Sequence, residues 1–213
     1  MCSSDLVLQQ QIEDEFPGGW SAIDDPELVI TSVGRITRQK MGLLLHLTEG
    51  KTVLEQLLQQ LGSSGVMILL GSGDVSIEAR LAELAQQHDN LVFLKGFKEA
   101  LGTTMYRAGQ LFLMPSLFEP CGISQMLAMQ YGQPCLVHKT GGLADTVQHN
   151  VTGWTFEGAG EEEQAAALLE TFSSVLKVIQ SMPEQYEAIR RAAREQQFDW
   201  ERSAQAYVEV YDS

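Results

Sequence analysis

The chain has 213 residues, 44% hydrophobic and 20% charged, which argues against disorder and supplies the core of one large or two small domains. Its 14 Lys and Arg face 28 Asp and Glu, a formal charge of −14, so it has no net charge to attract a nucleic acid or an anionic membrane. The three cysteines (Cys2, Cys121, Cys135) form neither a disulfide framework nor a Cys-x-x-Cys site, which points to a reducing, cytoplasmic setting.

In chain order, residues 1–27 read as a lead-in broken by Pro17, Gly18, Gly19 and Pro26, with a short helix around Val7–Glu15. Residues 28–213 read as one domain. Short apolar runs lie at Leu28–Val33, Val66–Leu70, Leu91–Leu94, Leu111–Met114, Pro134–Val137 and Trp154–Phe156; the first five show little polar alternation, as strands buried on both faces do, and the last is the shortest. Helical stretches lie between them at Met41–Leu61, Ile77–His88, Lys98–Ala108, Ile123–Tyr131 and Leu143–Asn150. The alternation predicts an α/β fold: a doubly wound, mostly parallel, Rossmann-like sheet with right-handed crossovers. Residues 161–213 read as closing helices, one opened by Pro183 and a last one capped by Asp199. None of the apolar runs approaches the roughly 20 residues of a membrane span.

Ligands in such sheets bind at the carboxyl ends of the strands. Four loops there carry unusual chemistry. Gly34–Lys40 places Arg35, Arg38 and Lys40 close together, which suits a diphosphate and equally suits a solvated basic turn. Gly71-Ser72-Gly73-Asp74 lets a backbone approach closely, or makes a plain tight turn; it is no dinucleotide fingerprint, because the third glycine is missing. Pro115–Gln125 sets Glu119 ahead of a helix start, where the N–H groups of Gly122, Ile123 and Ser124 suit an anion; a capped loop with Glu119 in solvent is the other reading. Gly141-Gly142 opens a helix and either lies on a ligand or tightens the turn. His46, His88, His138 and His149 lack metal-ligand spacing, His138 stands at a strand end and either faces the cleft or reads as a loop histidine, and no Asp-x-Asp metal motif occurs, so neither cofactor nor metal is expected.

Together, the strings FEPCG, Gln125, YG-x-PC and TGGLADTV, with GRITRQK upstream and FDWERSAQAY at the end, resemble the carboxyl-terminal half of bacterial glycogen synthases and plant starch synthases. Those are retaining glycosyltransferases of the two-domain GT-B architecture, and the resemblance covers nearly all of residues 28–211. It implies a donor-binding domain that takes a nucleoside-diphosphate glucose, ADP-glucose before UDP-glucose, and passes glucose to an α-1,4-glucan. Arg35 and Lys40 would grip the diphosphate, and Glu119 would hold glucose hydroxyls. Gly73, Cys121, Gly122, Ile123 and Ser124 would line the donor, and Phe97 would stack on the base. The pattern departs at Leu127, where the wider retaining GT-B group has a second carboxylate, and at Met41, which pushes the glycine after the lysine to Gly42. The family also has an amino-terminal acceptor domain for which residues 1–27 leave no room. An isolated half would bind donor weakly and catalyse poorly. A non-catalytic glucan- or subunit-binding module and another GT-B glucosyltransferase remain as alternatives.

Overall fold

The computed structural model describes residues 3–20 and 26–198, with Ala204, Tyr207, Val208 and Tyr211 after them; Asp199, expected to cap a closing helix, lies outside the described residues. A first helix, α1 (Ser3–Glu15), begins earlier than expected. Residues 3–20, set apart as a lead-in by their polarity, are tied to the domain by Leu8 and Ile12, both buried in its core. Strand β1 (Leu28–Val33) is buried at every residue.

The long helix expected over Met41–Leu61 is two helices, α2 (Arg38–Leu45) and α3 (Val53–Leu61), divided by a hairpin of β2 (Leu47–Thr48) and β3 (Lys51–Thr52). The cause is local. Glu49 and Gly50 adopt positive φ (53° and 80°), which a helix cannot accommodate. Thr52 then restarts the helix through a capping box: its hydroxyl accepts from the Glu55 N–H, and the Glu55 carboxylate accepts from the Thr52 N–H. The apolar period continues across the break, so periodicity alone runs the two helices together. Helix α2 also starts at Arg38, ahead of Lys40, rather than at Met41.

The remaining alternation is as expected, within one or two residues at most ends. It comprises β4 (Gly65–Gly71), α4 (Val75–Gln87), β5 (Leu91–Lys95), α5 (Glu99–Ala108), β6 (Leu111–Met114), α6 (Ser124–Gln130), β7 (Cys135–His138), α7 (Gly141–Thr146) and β8 (Gly153–Phe156). Helix α7 stops four residues short of the expected Asn150, which lies in a turn at φ 60°. Two helices follow, α8 (Glu161–Ser181) and α9 (Pro183–Arg194), the second with Pro183 in its first turn as read from the sequence.

The main sheet is parallel throughout, in the order β5-β4-β1-β6-β7-β8. Alternate side chains feed two apolar layers. Met67, Leu69, Leu111, Leu113 and Leu136 face Leu54, Leu57, Leu168 and Phe172 of α3 and α8. Val66, Ile68, Leu70, Phe112 and Val137 face Leu8, Leu101, Met105 and Met129 of α1, α5 and α6. Strand order reverses between β1 and β6, so their carboxyl ends splay apart and leave a crevice. No described helix is long and apolar enough to cross a membrane. Replacing Thr52 with Ala removes the α3 cap and should cost about 1 kcal/mol, read as a lower urea midpoint at unchanged slope.

Candidate active site

The crevice is built from the backbone first. Beyond β1 the chain stays paired with its neighbour. The Gly34 N–H donates to Leu70 O (3.0 Å), Ile36 N–H to Ser72 O (2.9 Å) and Asp74 N–H to Ile36 O (2.7 Å). This zips the loops after β1 and β4 together, and it needs a bare backbone: a Cβ on Gly73 would stand 3.0 Å from the Ile36 carbonyl carbon. The Gly73 N–H is already engaged, donating to Glu78 Oε1 at 2.7 Å, and Lys95 Nζ donates to the other oxygen at 2.8 Å. These two bonds, Lys95 first, hold the Glu78 carboxyl below its ordinary range. Glu78 and Lys95 carry no motif and were missed by sequence reasoning.

The second wall joins residues far apart in sequence. Lys40 folds back over Gly34, where an added Cβ would lie 3.4 Å from its Cδ. Its Nζ meets Glu119 Oε2 at 2.7 Å, with both side chains nearly closed off from solvent (13% and 11% exposed). Gln39, unremarked in the sequence, makes the flanking bonds: its carbonyl accepts from the Leu117 N–H (2.8 Å) and its amide donates to Phe118 O (2.7 Å). The alternative of a solvent-exposed Glu119 is therefore wrong. The three cations of this loop separate. Arg38 turns to Glu161 of α8 at 3.6 Å, on the surface. Arg35 is exposed and makes no salt bridge among the described residues.

The third wall is the loop into α6. Gly122 takes a positive φ of 78°, a conformation that glycine adopts without strain. Buried Gln125 reaches back to donate to Gly122 O (3.0 Å) and Cys121 O (3.1 Å). Cys121 and Ile123 are exposed, Ser124 is the first residue of α6, and Ile123, ahead of it, makes no side-chain cap. The Gly141-Gly142 pair lies against this loop rather than against open crevice. The Gly142 N–H donates to Glu119 O (2.9 Å), and a Cβ on Gly142 would come within 2.6 Å of Cys121 Cα.

So built, the site is a parallel-sheet crevice walled by a basic loop, a buried lysine–carboxylate pair and a glycine-bearing helix start. A family model described as glycosyl transferases group 1 matches residues 20–196. The chain belongs to that family. Among its relatives, the glycogen synthase of Haemophilus influenzae (strain PittEE) is 35% identical over 199 residues, 89% of this chain and 39% of that protein. The glycogen synthase of Streptococcus sanguinis (strain SK36) is 37% identical over 196 residues, 90% of this chain and 39% of that one. The catalytic domain of starch synthase IV from Arabidopsis thaliana, bound to ADP and acarbose, superposes with a TM-score of 0.73 at 28% identity, covering 98% of this chain and 41% of that one. This group 1 glycosyl transferase chain thus spans about two fifths of the length of the curated relatives it matches.

In this glycosyl transferase chain, Phe97 follows Gly96 in the loop after β5, the edge strand of the sheet, and stands 68% exposed. Leu127, at the position without a second carboxylate, is exposed on α6. His138 ends β7, at the strand end expected, and is buried rather than a free loop residue, its Nδ1 2.9 Å from Ser116 O. Among the described residues no group of three or more His, Cys, Asp or Glu is placed to hold a metal ion.

The lowered Glu78 carboxyl fixes the sign of a pH effect. Its stabilising bonds are complete above the ordinary value of 4.5 and are lost as pH falls through the lower folded value. Glu78→Gln should therefore melt below wild type at pH 7, and the gap should narrow in thermal melts as the pH is lowered past 4.5.

Proposed function

We propose that this chain is the donor-binding domain of a glycogen- or starch-synthase-like hexosyltransferase. In the whole enzyme it would move glucose, with retention, from a nucleoside-diphosphate glucose to the end of an α-1,4-glucan. The observation that carries this is the 2.7 Å contact between Lys40 and Glu119 at the sheet's switch point. It holds a cation and a carboxylate in one fixed geometry where an open α/β sheet takes its ligand.

The chemistry follows from those groups. When the bond from the anomeric carbon to the distal phosphate breaks, charge gathers on the phosphate oxygens. Lys40, oriented by Glu119, and Arg35, which is exposed, supply positive charge on that side. A guanidinium suits the planar fork of two phosphate oxygens, and an ammonium acts as a point charge. The remaining carboxylate oxygen of Glu119 can accept from sugar hydroxyls. Gly73, Cys121, Gly122, Ile123 and Ser124 line the donor, and Phe97 offers a ring face for the base. ADP-glucose is the preferred donor, on the likeness to starch synthase IV, which was solved with ADP. The acceptor glucan would be brought by an amino-terminal domain, which would lie in the part of the curated relatives that this chain does not span. Cys121 and Cys135 are both free thiols, in keeping with a reducing cytoplasmic setting, or a plastid in a plant.

Calorimetry on the folded chain should detect ADP and ADP-glucose, with UDP weaker. Arg35→Ala with Lys40→Ala should lower ADP affinity more than about tenfold, the scale of lost charge-assisted hydrogen bonds. A folded wild type that binds no nucleotide yet is retained on glycogen would replace this reading with that of a glucan-binding module.

A further inference from the structure

The loop that bears Glu119 is held at each residue from Ser116 onward. Gln39 bonds Leu117 and Phe118, while Lys40 and Gly142 bond Glu119. At Ser116 the hold comes from the opposite side, from β7. The Ser116 carbonyl oxygen lies 2.9 Å from His138 Nδ1, and both residues are buried. A carbonyl can only accept, so Nδ1 carries the proton, which sets the tautomer of the ring. The ring itself is locked by stacking on Phe156 of β8, with centroids 5.2 Å apart and planes 16° apart. The Ser116 hydroxyl is buried and has no hydrogen-bond partner among the described residues, so the side-chain contribution at this junction is His138's alone.

We propose that His138 is a positioning residue for donor-sugar recognition. By pinning the Ser116 carbonyl, its Nδ1–H sets the course of Leu117 and Phe118 and hence where the Glu119 carboxylate stands. A displaced loop would move the sugar-facing group and leave the base-facing rim at Phe97 untouched, since that rim hangs from β5 at the far edge of the sheet. The inference rests on the reading of Glu119 as the group that holds the donor glucose.

The experiment is a pair of calorimetric titrations, ADP-glucose and ADP, on the folded chain and three variants. His138→Phe keeps a ring on Phe156 and loses the donor. It should lower ADP-glucose affinity about tenfold, the scale of one lost buried hydrogen bond, and ADP affinity by a clearly smaller factor, because ADP lacks the sugar that Glu119 holds and senses the loop only through Lys40. His138→Asn puts an amide N–H near the place of Nδ1 and should recover most of the loss. Ser116→Ala removes only the unpartnered hydroxyl and should bind both ligands as wild type does. If His138→Phe does not fold, His138→Met is read in its place. Equal losses for both ligands, or none for either, overturn the role of His138 while nucleotide binding by the wild type stands. A wild type that binds neither ligand overturns the proposed function, and this inference falls with it.

Discussion

The bond between Lys40 and Glu119 joins the two halves of the sheet at the place where they part. Strand order turns outward in both directions from β1 and β6, and the loops leaving those strands would diverge if nothing tied them. The pair, with the two Gln39 bonds beside it, closes that gap. Both charged groups are largely withdrawn from water, so each needs the other: breaking such a pair leaves an uncompensated buried charge. The same contact that completes the fold locally therefore arranges the site, and stability and geometry cannot be tuned separately there.

The glycines express the same constraint in the backbone. Gly73 lies on Ile36, and Gly142 lies on Cys121 and donates to Glu119 O. In each case the missing side chain makes room for another loop of the same protein, so that four loops converge as bonded backbone rather than as separate flexible segments. A crevice whose walls bond to one another loses less entropy when a ligand settles, which is how a small site can hold a ligand in one orientation.

Electrostatics in this molecule work at two ranges. At −14 overall, the protein repels an anionic ligand at a distance, but salt at physiological strength screens exposed charges beyond about 8 Å. Within that distance the local groups decide. Lys40 is fixed by Glu119, and Arg38 is drawn off by Glu161. The net charge of this chain thus argues against a polyanion-binding role while saying nothing against a phosphate site in one crevice.

The sequence by itself determined the layer architecture. Five short apolar runs with little polar alternation, spaced by longer amphipathic stretches, read as strands covered on both faces, and the loops after such strands are where an open sheet takes a ligand. It also singled out Lys40 and Glu119, because a lysine in a basic loop and a carboxylate among Pro and apolar residues are locally conspicuous. Tertiary structure alone decided the partnerships: Lys40 with Glu119 and Gln39 with Phe118, each pair 79 residues apart, Glu78 with Lys95 and Gly73, and His138 with Ser116. Periodicity reports which face of an element is buried, whereas a hydrogen bond between loops depends on where the whole sheet sets their ends. The hairpin inside Met41–Leu61 lies between these cases: the Thr52-x-x-Glu55 box was legible, but the apolar period ran through it and masked the break.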